Sequence, residues 1–203
     1  MNVLVTGGAG FIGYHLIKRL KQSGHTVFAF DDFSTGDHTV EGQEYQKYCV
    51  YEDKKWWGEY YKDIDLIYHL AAVSRIQPSF TDPWRTSKIN IMGTQAVLEY
   101  ARRNNCKVVY PASSSKYGGE LASPYAWTKL QGEKLCQLYN QTYDVDVAMP
   151  RFYNVYGPKQ PQEGAFATVL GIFEKQFAEG KPLTIEGTGD QRRDFTHVED
   201  VAE

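Results

Sequence analysis

The chain has 203 residues, of which 42% are hydrophobic and 23% are charged, a composition typical of a globular protein with a sizeable core. Its net charge of -3 argues against a protein that binds nucleic acid. Cys49, Cys106 and Cys136 are widely spaced and follow no metal or redox pattern, so we predict reduced thiols, a cytoplasmic location and no metal site. No apolar run approaches the roughly 20 residues that cross a membrane, and a strand begins almost at Met1. We therefore expect no membrane partner and no targeting segment.

The first element is a strand followed by a glycine-rich turn and a helix. Met1 to Thr6 predicts a buried parallel strand, and an amphipathic helix follows to about Lys21. Three glycines in the turn are spaced to allow a tight turn, a close approach to a pyrophosphate, and packing of the helix against the strand. The turn is either a dinucleotide-binding loop or a simple glycine-rich connection. Its candidate cofactor contacts are Gly7, Gly10, Phe11, Ile12 and Gly13.

A second strand, Thr26 to Phe30, ends at Asp31, about 20 residues after the glycine loop. An acidic residue here accepts hydrogen bonds from the adenosine ribose, and no arginine follows directly to receive a 2′-phosphate, so NAD is favoured over NADP. Alternatively, Asp31 and Asp32 only cap a turn. Glu44 to Val50 predicts a third strand. Two residues after it are candidates for an adenine contact, Glu52 and Asp53.

Small residues and an amide mark the next two elements. Leu66 to His69 predicts a short buried strand that runs into Ala71 and Ala72, which are small enough for a cofactor to lie against their backbone, or simply to pack closely. Asp82 to Arg103 predicts one long helix. Asn90 lies in the middle of that helix, where an asparagine is usually a solvated residue.

A serine, a tyrosine and a lysine follow the next predicted strand. Ser113 lies at the carboxyl edge of the sheet, where parallel sheets bind ligands. Ser123 and Pro124 predict a helix N-cap and a first-turn proline, so Tyr125 and Lys129 share a helix face one turn apart. A lysine ammonium beside a phenol lowers the phenol pKa from about 10 toward neutrality. The group either polarises a sugar oxygen and exchanges its proton, or is a loop serine with a surface pair.

The remaining chain continues the alternation of strands and helices, which implies a doubly wound parallel sheet in an α/β fold. A dinucleotide-binding core would occupy residues 1–151, and residues 152–203 would form part of a substrate-binding region interleaved with the last core strand. Arg193 is either a phosphate contact or a solvated surface charge. We predict strands at Val108 to Tyr110, Val145 to Arg151, Leu183 to Ile185 and Arg193 to Val198, and a helix at Ala165 to Ala178.

The sequence carries, in chain order, Gly7-Gly-Ala-Gly-Phe-Ile-Gly13, Asp31, His69-Leu-Ala-Ala72, Asn90-Ile-Met-Gly-Thr94, Ser113 before Tyr117-Gly118, Tyr125-x-x-x-Lys129, Arg151-Phe-Tyr-Asn-Val-Tyr-Gly157 and Arg193-Asp-Phe195. In this order the motifs resemble those of the extended short-chain dehydrogenase/reductases, in particular the NAD-dependent nucleotide-sugar epimerase/dehydratase family. The resemblance covers nearly the whole chain. It implies a Rossmann fold, tightly held NAD and a UDP-sugar substrate.

The resemblance also implies roles for individual residues. Tyr125 would be the base, Ser113 would bond the sugar hydroxyl, and Lys129 would bind the nicotinamide ribose and lower the pKa of Tyr125. Asn90 would lie near the nicotinamide or in a proton relay. The glycine loop, Asp31, Ala71 and Ala72 would hold the cofactor. Substrate contacts would come from Ser113, Ser114, Asn154 and Arg193. Relatives dimerise through the helices that correspond to residues 82–103 and 125–141, so we expect a homodimer.

Two departures from the family's motifs bear on the implied reaction and on the size of the substrate-binding portion. The family's 4,6-dehydratases carry an Asp-Glu pair after the active-site hydroxyl, whereas Ser114 and Ser115 stand there in this chain, so 4-epimerisation is preferred. The loop before Tyr125 is short, and the chain ends soon after Phe195, which predicts a reduced substrate-binding portion. The alternatives to 4-epimerisation are another oxidation or 4,6-dehydration of a nucleotide sugar by the same family, or NAD binding without catalysis.

Overall fold

The computed structural model describes residues 1–51, 63–185 and 187–203, so Glu52 and Asp53 lie outside the described residues. Within these ranges the strands form a six-stranded parallel sheet in the order β3-β2-β1-β4-β5-β7, with helices on both faces. The sheet order confirms the predicted doubly wound Rossmann fold. No helix among the described residues combines the length and the apolar character needed to span a bilayer.

The strands of the structure fall into the main sheet and two short parallel pairs, β6 with β8 and β9 with β10. They are β1 (Asn2–Thr6), β2 (Thr26–Asp31), β3 (Tyr45–Lys47), β4 (Leu66–His69), β5 (Lys107–Val109), β6 (Ala112–Ser113), β7 (Val147–Ala148), β8 (Arg151–Phe152), β9 (Val155–Tyr156) and β10 (Thr196–His197). The α-helices are α1 (Phe11–Gln22), α2 (Ile76–Thr81), α3 (Pro83–Ser87), α4 (Thr94–Asn104), α5 (Pro124–Tyr143), α6 (Val169–Ala178) and α7 (Val198–Ala202).

Strand β1 has three consecutive buried apolar residues, Val3 to Val5, because both faces of the sheet are covered. Alternate residues of a strand point to opposite faces, so Val3 and Val5 belong to one core cluster and Leu4 to another. The first cluster packs against α1. It also contains Ala202 of α7, so the last described helix covers the same face as the first. The division of the chain at residue 151 stays a prediction.

The single helix predicted from Asp82 to Arg103 is wrong in its middle. The structure has α3, then a π-helical turn from Lys88 to Gly93, and then α4. The wider turn contains Asn90, whose side chain is buried against the backbone of Val73 instead of facing solvent. π-helical turns inside α-helices occur frequently at functional sites.

Four predicted strands are also corrected. Val145 to Arg151 is not one strand, because Pro150 has no N–H to donate and its carbonyl bonds Ala112 at 2.8 Å, so β7 and β8 join different sheets. Leu183 to Ile185 is exposed and pairs with no other strand in the described part of the chain. The predicted strand from Arg193 to Val198 shortens to β10. The third predicted strand, Glu44 to Val50, is the shorter β3.

Gly132 in α5 allows the helix to approach Tyr110. A Cβ atom at this position would lie 2.1 Å from the Tyr110 hydroxyl oxygen, and Tyr110 is itself buried. An alanine in a helix interior ordinarily stabilises by about 1 kcal/mol relative to glycine. We expect Gly132→Ala to reverse that sign, since the overlap forces Tyr110 or α5 to move.

The expected loss in the free energy of unfolding for Gly132→Ala is about 1–3 kcal/mol, measured by urea denaturation. Gly118→Ala is the matched control, because a Cβ at Gly118 meets no atom within 4 Å. An unchanged or higher midpoint for Gly132→Ala would contradict the close approach of the helix.

Candidate active site

Tyr125 and Lys129 lie on α5 and face one cavity, with Lys129 buried and Tyr125 partly buried. The helix begins as predicted, because the Ser123 hydroxyl accepts the Ala126 N–H at 3.1 Å and proline occupies the first turn. The Tyr125 N–H donates to the Ser79 hydroxyl of α2 at 3.1 Å. Two neighbouring helices therefore fix the position of the phenol.

Ser113 approaches the phenol from the end of β6. Its hydroxyl oxygen lies 3.5 Å from the Tyr125 hydroxyl and 2.8 Å from the Ser115 hydroxyl. The Ser115 N–H also donates to the Ser113 hydroxyl at 3.2 Å. The three predicted side chains, Ser113, Tyr125 and Lys129, thus face the same cavity. Lys129 is buried, so Tyr125 and Lys129 are not a solvent-exposed surface pair.

A buried ion pair holds β6 against α5. Arg151 donates two hydrogen bonds to the carboxylate of Glu133, at 2.8 and 2.9 Å, and a further one to the carbonyl of Ser113. The Ser113 N–H donates to Glu133 at 3.3 Å. Burial alone would raise the pKa of Glu133, but the hydrogen bonds from Arg151 lower it, so the carboxylate stays charged.

The pKa values around Tyr125 differ from the sequence expectation. Burial raises the pKa of Tyr125, while the hydrogen bond from Ser113 and the charge of Arg75 act in the opposite direction. Burial lowers the pKa of Lys129 to about 8, and its ammonium lies 4.1 Å from the centre of the Tyr110 ring. The expectation that Lys129 brings the Tyr125 pKa toward neutrality is therefore wrong for this structure. Burial outweighs the nearby charges, and the cation that acts on the phenol is Arg75.

The cavity has a volume of about 1280 Å³ and extends from the glycine loop to Ser113. Pockets for a single small molecule usually measure roughly 300–1,000 Å³, so this one has room for more than one ligand. Asn90 and Arg193 do not line it. The predicted site residues that do are Gly7, Gly10, Phe11, Ile12, Gly13, Asp31, Ala71, Ala72, Ser113, Ser114, Tyr125, Lys129 and Asn154.

The glycine loop has the geometry that requires glycine. Gly7 has a φ of +71°, and a Cβ there would lie 2.6 Å from the Ala71 nitrogen. A Cβ on Gly13 would lie 2.3 Å from the Gly7 carbonyl oxygen, so the helix passes directly against the turn. α1 begins at Phe11, and its first N–H groups are available to an anion.

Asp31 supports the loop with both carboxylate oxygens. It accepts the Ala9 N–H at 2.9 Å and the Phe33 N–H at 2.8 Å, and Asp32 accepts the Ser34 N–H at 2.9 Å. Both aspartates therefore cap the turn, as one of the two interpretations predicts, and the predicted ribose contact of Asp31 stays a prediction. A carboxylate has about four acceptor sites, so Asp31 can also bond a ligand in the cavity that it lines.

Asn90 is a buried support instead of a solvated residue or a cavity contact. Its carbonyl accepts the Val73 N–H at 2.8 Å, and its amide donates to the Val73 carbonyl at 3.1 Å and to the Thr128 hydroxyl at 3.0 Å. These bonds occupy both amide hydrogens. Asn90 therefore positions the segment after β4, and its predicted place near the nicotinamide or in a proton relay stays a prediction.

A chain of hydrogen bonds runs beneath this segment and was not predicted from the sequence. His69 lies between the hydroxyls of Thr6 and Thr94, at 2.8 and 3.1 Å. Thr94 donates to the Asn90 carbonyl, and the Ala71 N–H donates to Thr6, so the ring accepts from Thr6 and donates to Thr94. Only a neutral imidazole completes both bonds. Burial lowers the pKa of His69 to about 3, which keeps it neutral.

A model of the NAD dependent epimerase/dehydratase family matches residues 3–203. The chain belongs to this family. This chain is 34% identical, over 224 residues, to the uncharacterized UDP-glucose epimerase YtcB of Bacillus subtilis. The alignment covers 98% of this chain and 70% of YtcB.

Solved structures agree with the family assignment. The UDP-glucose 4-epimerase of Thermotoga maritima with UDP-glucose aligns with a TM-score of 0.93 and 29% identity, over 100% of this chain and 71% of that one. The complex of UDP-glucose 4-epimerase from Thermus thermophilus with NAD aligns with a TM-score of 0.85 and 29% identity, over 100% of this chain and 72% of that one. The chain thus spans about 70% of the length of these three relatives.

NAD is the cofactor of this family, and the residues of this epimerase/dehydratase chain fit it. Gly7 and Gly13 leave space that a Cβ would fill, α1 presents free N–H groups beside them, and Asp31 lies at the end of β2. No arginine directly follows Asp31. These features match a dinucleotide whose ribose carries no 2′-phosphate.

The two predicted substrate contacts from the C-terminal part are placed differently. Asn154 lines the cavity and donates to the Asp194 carbonyl at 2.8 Å. Arg193 is exposed, lies outside the cavity wall and donates to the Arg192 carbonyl. In this epimerase/dehydratase family member, the structure brings Asn154 into the cavity and leaves Arg193 outside it.

The neutral state of His69 predicts how stability depends on pH. Its pKa falls from 6.5 to about 3 on folding, so the unfolded chain binds the proton more readily and acid favours unfolding. The contribution is present above about pH 6.5 and is lost as the pH falls toward 3. When the pH falls from 7 to 5, this histidine should lower the free energy of unfolding by about 2 kcal/mol, measured by urea denaturation.

Replacement of the ring tests that assignment. His69→Gln should lower stability at pH 7 and should flatten the loss between pH 7 and pH 5. His25→Gln, outside this network, controls for the removal of an imidazole. Equal pH slopes for the unmodified protein and His69→Gln would refute a buried neutral histidine.

Proposed function

We propose that the protein is an NAD-dependent nucleotide-sugar 4-epimerase. The observation that carries the proposal is the approach of the Ser113 hydroxyl to the Tyr125 hydroxyl, at 3.5 Å, in a cavity that reaches back to the glycine loop. A sugar hydroxyl that contacts both groups would lie where a proton can be removed while its carbon is oxidised. Membership of the epimerase/dehydratase family supports the same reaction class.

NAD, when bound by the glycine loop and Asp31, would supply reversible hydride transfer at C4 of the sugar. The chain supplies the proton chemistry. Tyr125 takes the proton of the C4 hydroxyl and later gives it back, while Ser113 donates a hydrogen bond to the same oxygen. The phenolate that this requires is favoured by the charge of Arg75 and by the hydrogen bond from Ser113, which offset part of the burial cost.

The remaining predicted roles stay proposals about this site. Gly7, Gly10, Phe11, Ile12, Gly13, Asp31, Ala71 and Ala72 would contact NAD, Lys129 would hold its ribose, and Ser114 and Asn154 would contact the nucleotide sugar. A role for Arg193 would require the segment that carries it to move toward the cavity. A UDP-sugar is favoured because the Thermotoga maritima relative was solved with UDP-glucose.

A 4,6-dehydratase is the second candidate within this family, and Ser114 and Ser115 argue against it. Elimination of water at C5 and C6 needs an acid and a base, whereas Ser115 bonds Ser113 and Ser114 carries only a hydroxyl. Glu133 is engaged by Arg151 and does not line the cavity. Formation of a 4-keto-6-deoxy sugar would favour this candidate. NAD binding without nucleotide-sugar binding would favour a non-catalytic module.

Tyr125→Phe tests the proposal directly. The purified protein with NAD should interconvert UDP-glucose and UDP-galactose, or UDP-N-acetylglucosamine and its C4 epimer. Chromatography of the nucleotide sugars measures this conversion. The variant should lose at least about 100-fold in turnover, since a positioned acid/base contributes roughly 10²–10⁴. NAD binding should persist.

Tyr143→Phe is the matched control, because it removes a hydroxyl from a half-exposed tyrosine on the same helix. The absence of any C4 epimer from the unmodified protein with bound NAD would sink the proposal. Equal loss of turnover and NAD binding in Tyr125→Phe would indicate a structural tyrosine.

We also propose a homodimer, and the location in the cytoplasm stays a prediction. Large apolar side chains of α3, the π-helical turn and α5 are exposed by 40% to 71%: Trp84, Met92, Trp127 and Leu138. Exposed apolar patches commonly mark protein interfaces. Light scattering should give twice the monomer mass, and Trp84→Glu with Leu138→Glu should shift it to the monomer. A monomeric unmodified protein at micromolar concentration would contradict the dimer.

A further inference from the structure

Arg75 is a partly buried cation that lines the same cavity as the proposed acid/base. It directly precedes α2, the helix whose Ser79 hydroxyl accepts the Tyr125 N–H, and it lines the same cavity as Tyr125. The positive charge of Arg75 acts against the rise in the pKa of Tyr125 that burial causes. Because Tyr125 would act at C4, Arg75 faces the sugar end of a bound nucleotide sugar.

The guanidinium is fixed by its inner nitrogen and leaves its outer nitrogens to the cavity. Nε donates to the Phe166 carbonyl at 3.1 Å. Across residues 1–51, 63–185 and 187–203, no carboxylate lies within ion-pair distance of Arg75. The two terminal NH₂ groups therefore remain available as a planar pair of donors.

A cation that is partly removed from water and has no carboxylate partner is costly. Burial lowers the pKa of Arg75, which reflects the penalty on its charged form. Arg151, by contrast, meets the two oxygens of Glu133 in a parallel, bidentate pair. Arg75 has the donor geometry for the same kind of contact, but no carboxylate in the described part of the chain provides it.

We propose that Arg75 binds a carboxylate carried by the sugar of the substrate, so that the enzyme prefers an acidic nucleotide sugar to its neutral counterpart. The proposal rests on the proposed function only in placing the sugar beside Tyr125. A carboxylate matches the planar fork of arginine with two parallel hydrogen bonds, whereas a neutral hydroxyl would leave the charge uncompensated. The carboxylate could be the C6 group of a uronic acid or a lactyl group on a ring oxygen.

Calorimetric titration of the NAD-saturated protein with two matched pairs distinguishes these sources. UDP-glucuronate against UDP-glucose tests a C6 carboxylate, and UDP-N-acetylmuramate against UDP-N-acetylglucosamine tests a lactyl carboxylate. In at least one pair the acidic member should bind about ten- to a hundredfold more tightly, the range expected for a charged hydrogen-bonded contact. The preferred pair identifies the source.

Arg75→Gln should abolish that preference while leaving the affinity for the neutral sugar and for UDP alone within about twofold. Arg75→Lys should keep part of it, because the charge remains without the fork. Arg19→Gln is the matched control, since it removes an arginine of α1 that pairs with Glu203 outside the cavity.

Three results would overturn the proposal. The first is equal affinity of the unmodified protein for the acidic and neutral members of both pairs, which needs no variant to fold. The second is a preference that survives Arg75→Gln. The third is an equal loss of UDP affinity in Arg75→Gln, which would assign the guanidinium to the diphosphate. Binding is measured without turnover, so an absence of C4 epimerisation would sink the proposed function and leave this test readable.

Discussion

The buried ion pair between Glu133 and Arg151 is the interaction on which the rest of the site depends. Glu133 extends from α5, the helix that carries Tyr125 and Lys129, and the pair bonds both the N–H and the carbonyl of Ser113. Buried ion pairs add little net stability, because desolvation offsets most of their attraction. The contribution of this pair is geometric, since it sets the distance between a hydroxyl on β6 and a phenol on the helix.

A second network, without charge, supports the other side of the cavity. The bonds from Ala71 through Thr6, His69 and Thr94 to Asn90 connect β1, β4 and the π-helical turn in a continuous series. Each buried donor and acceptor in it has a partner, which is the condition under which a buried polar network rigidifies a core. These bonds hold the backbone of Ala71 close to Gly7, where a Cβ atom would lie 2.6 Å from the Ala71 nitrogen.

Local patterns predict the fold well because parallel strands, glycine turns and helix caps are encoded within a few residues. The cap at Ser123 and the cavity positions of Ser113, Tyr125 and Lys129 follow from such patterns. Long-range contacts are not encoded locally. The sequence therefore does not predict the π-helical turn or the hydrogen bonds between Asn90 and Val73. Glu133 was missed as well, although its position one turn after Lys129 on the same helix face was a usable signal. Arg75 carried no local signal.

The two backbone bonds of Asp31 affect how its cofactor preference can be redesigned. A change toward a phosphorylated ribose would ordinarily begin by replacing the acidic residue at the end of β2. Here that replacement also releases the N–H of Ala9 in the glycine loop and the N–H of Phe33 in the following turn. One carboxylate thus fixes the shape of the loop and also holds the position that is proposed to select the cofactor. Redesign must therefore supply new acceptors for both N–H groups together with any new basic residue.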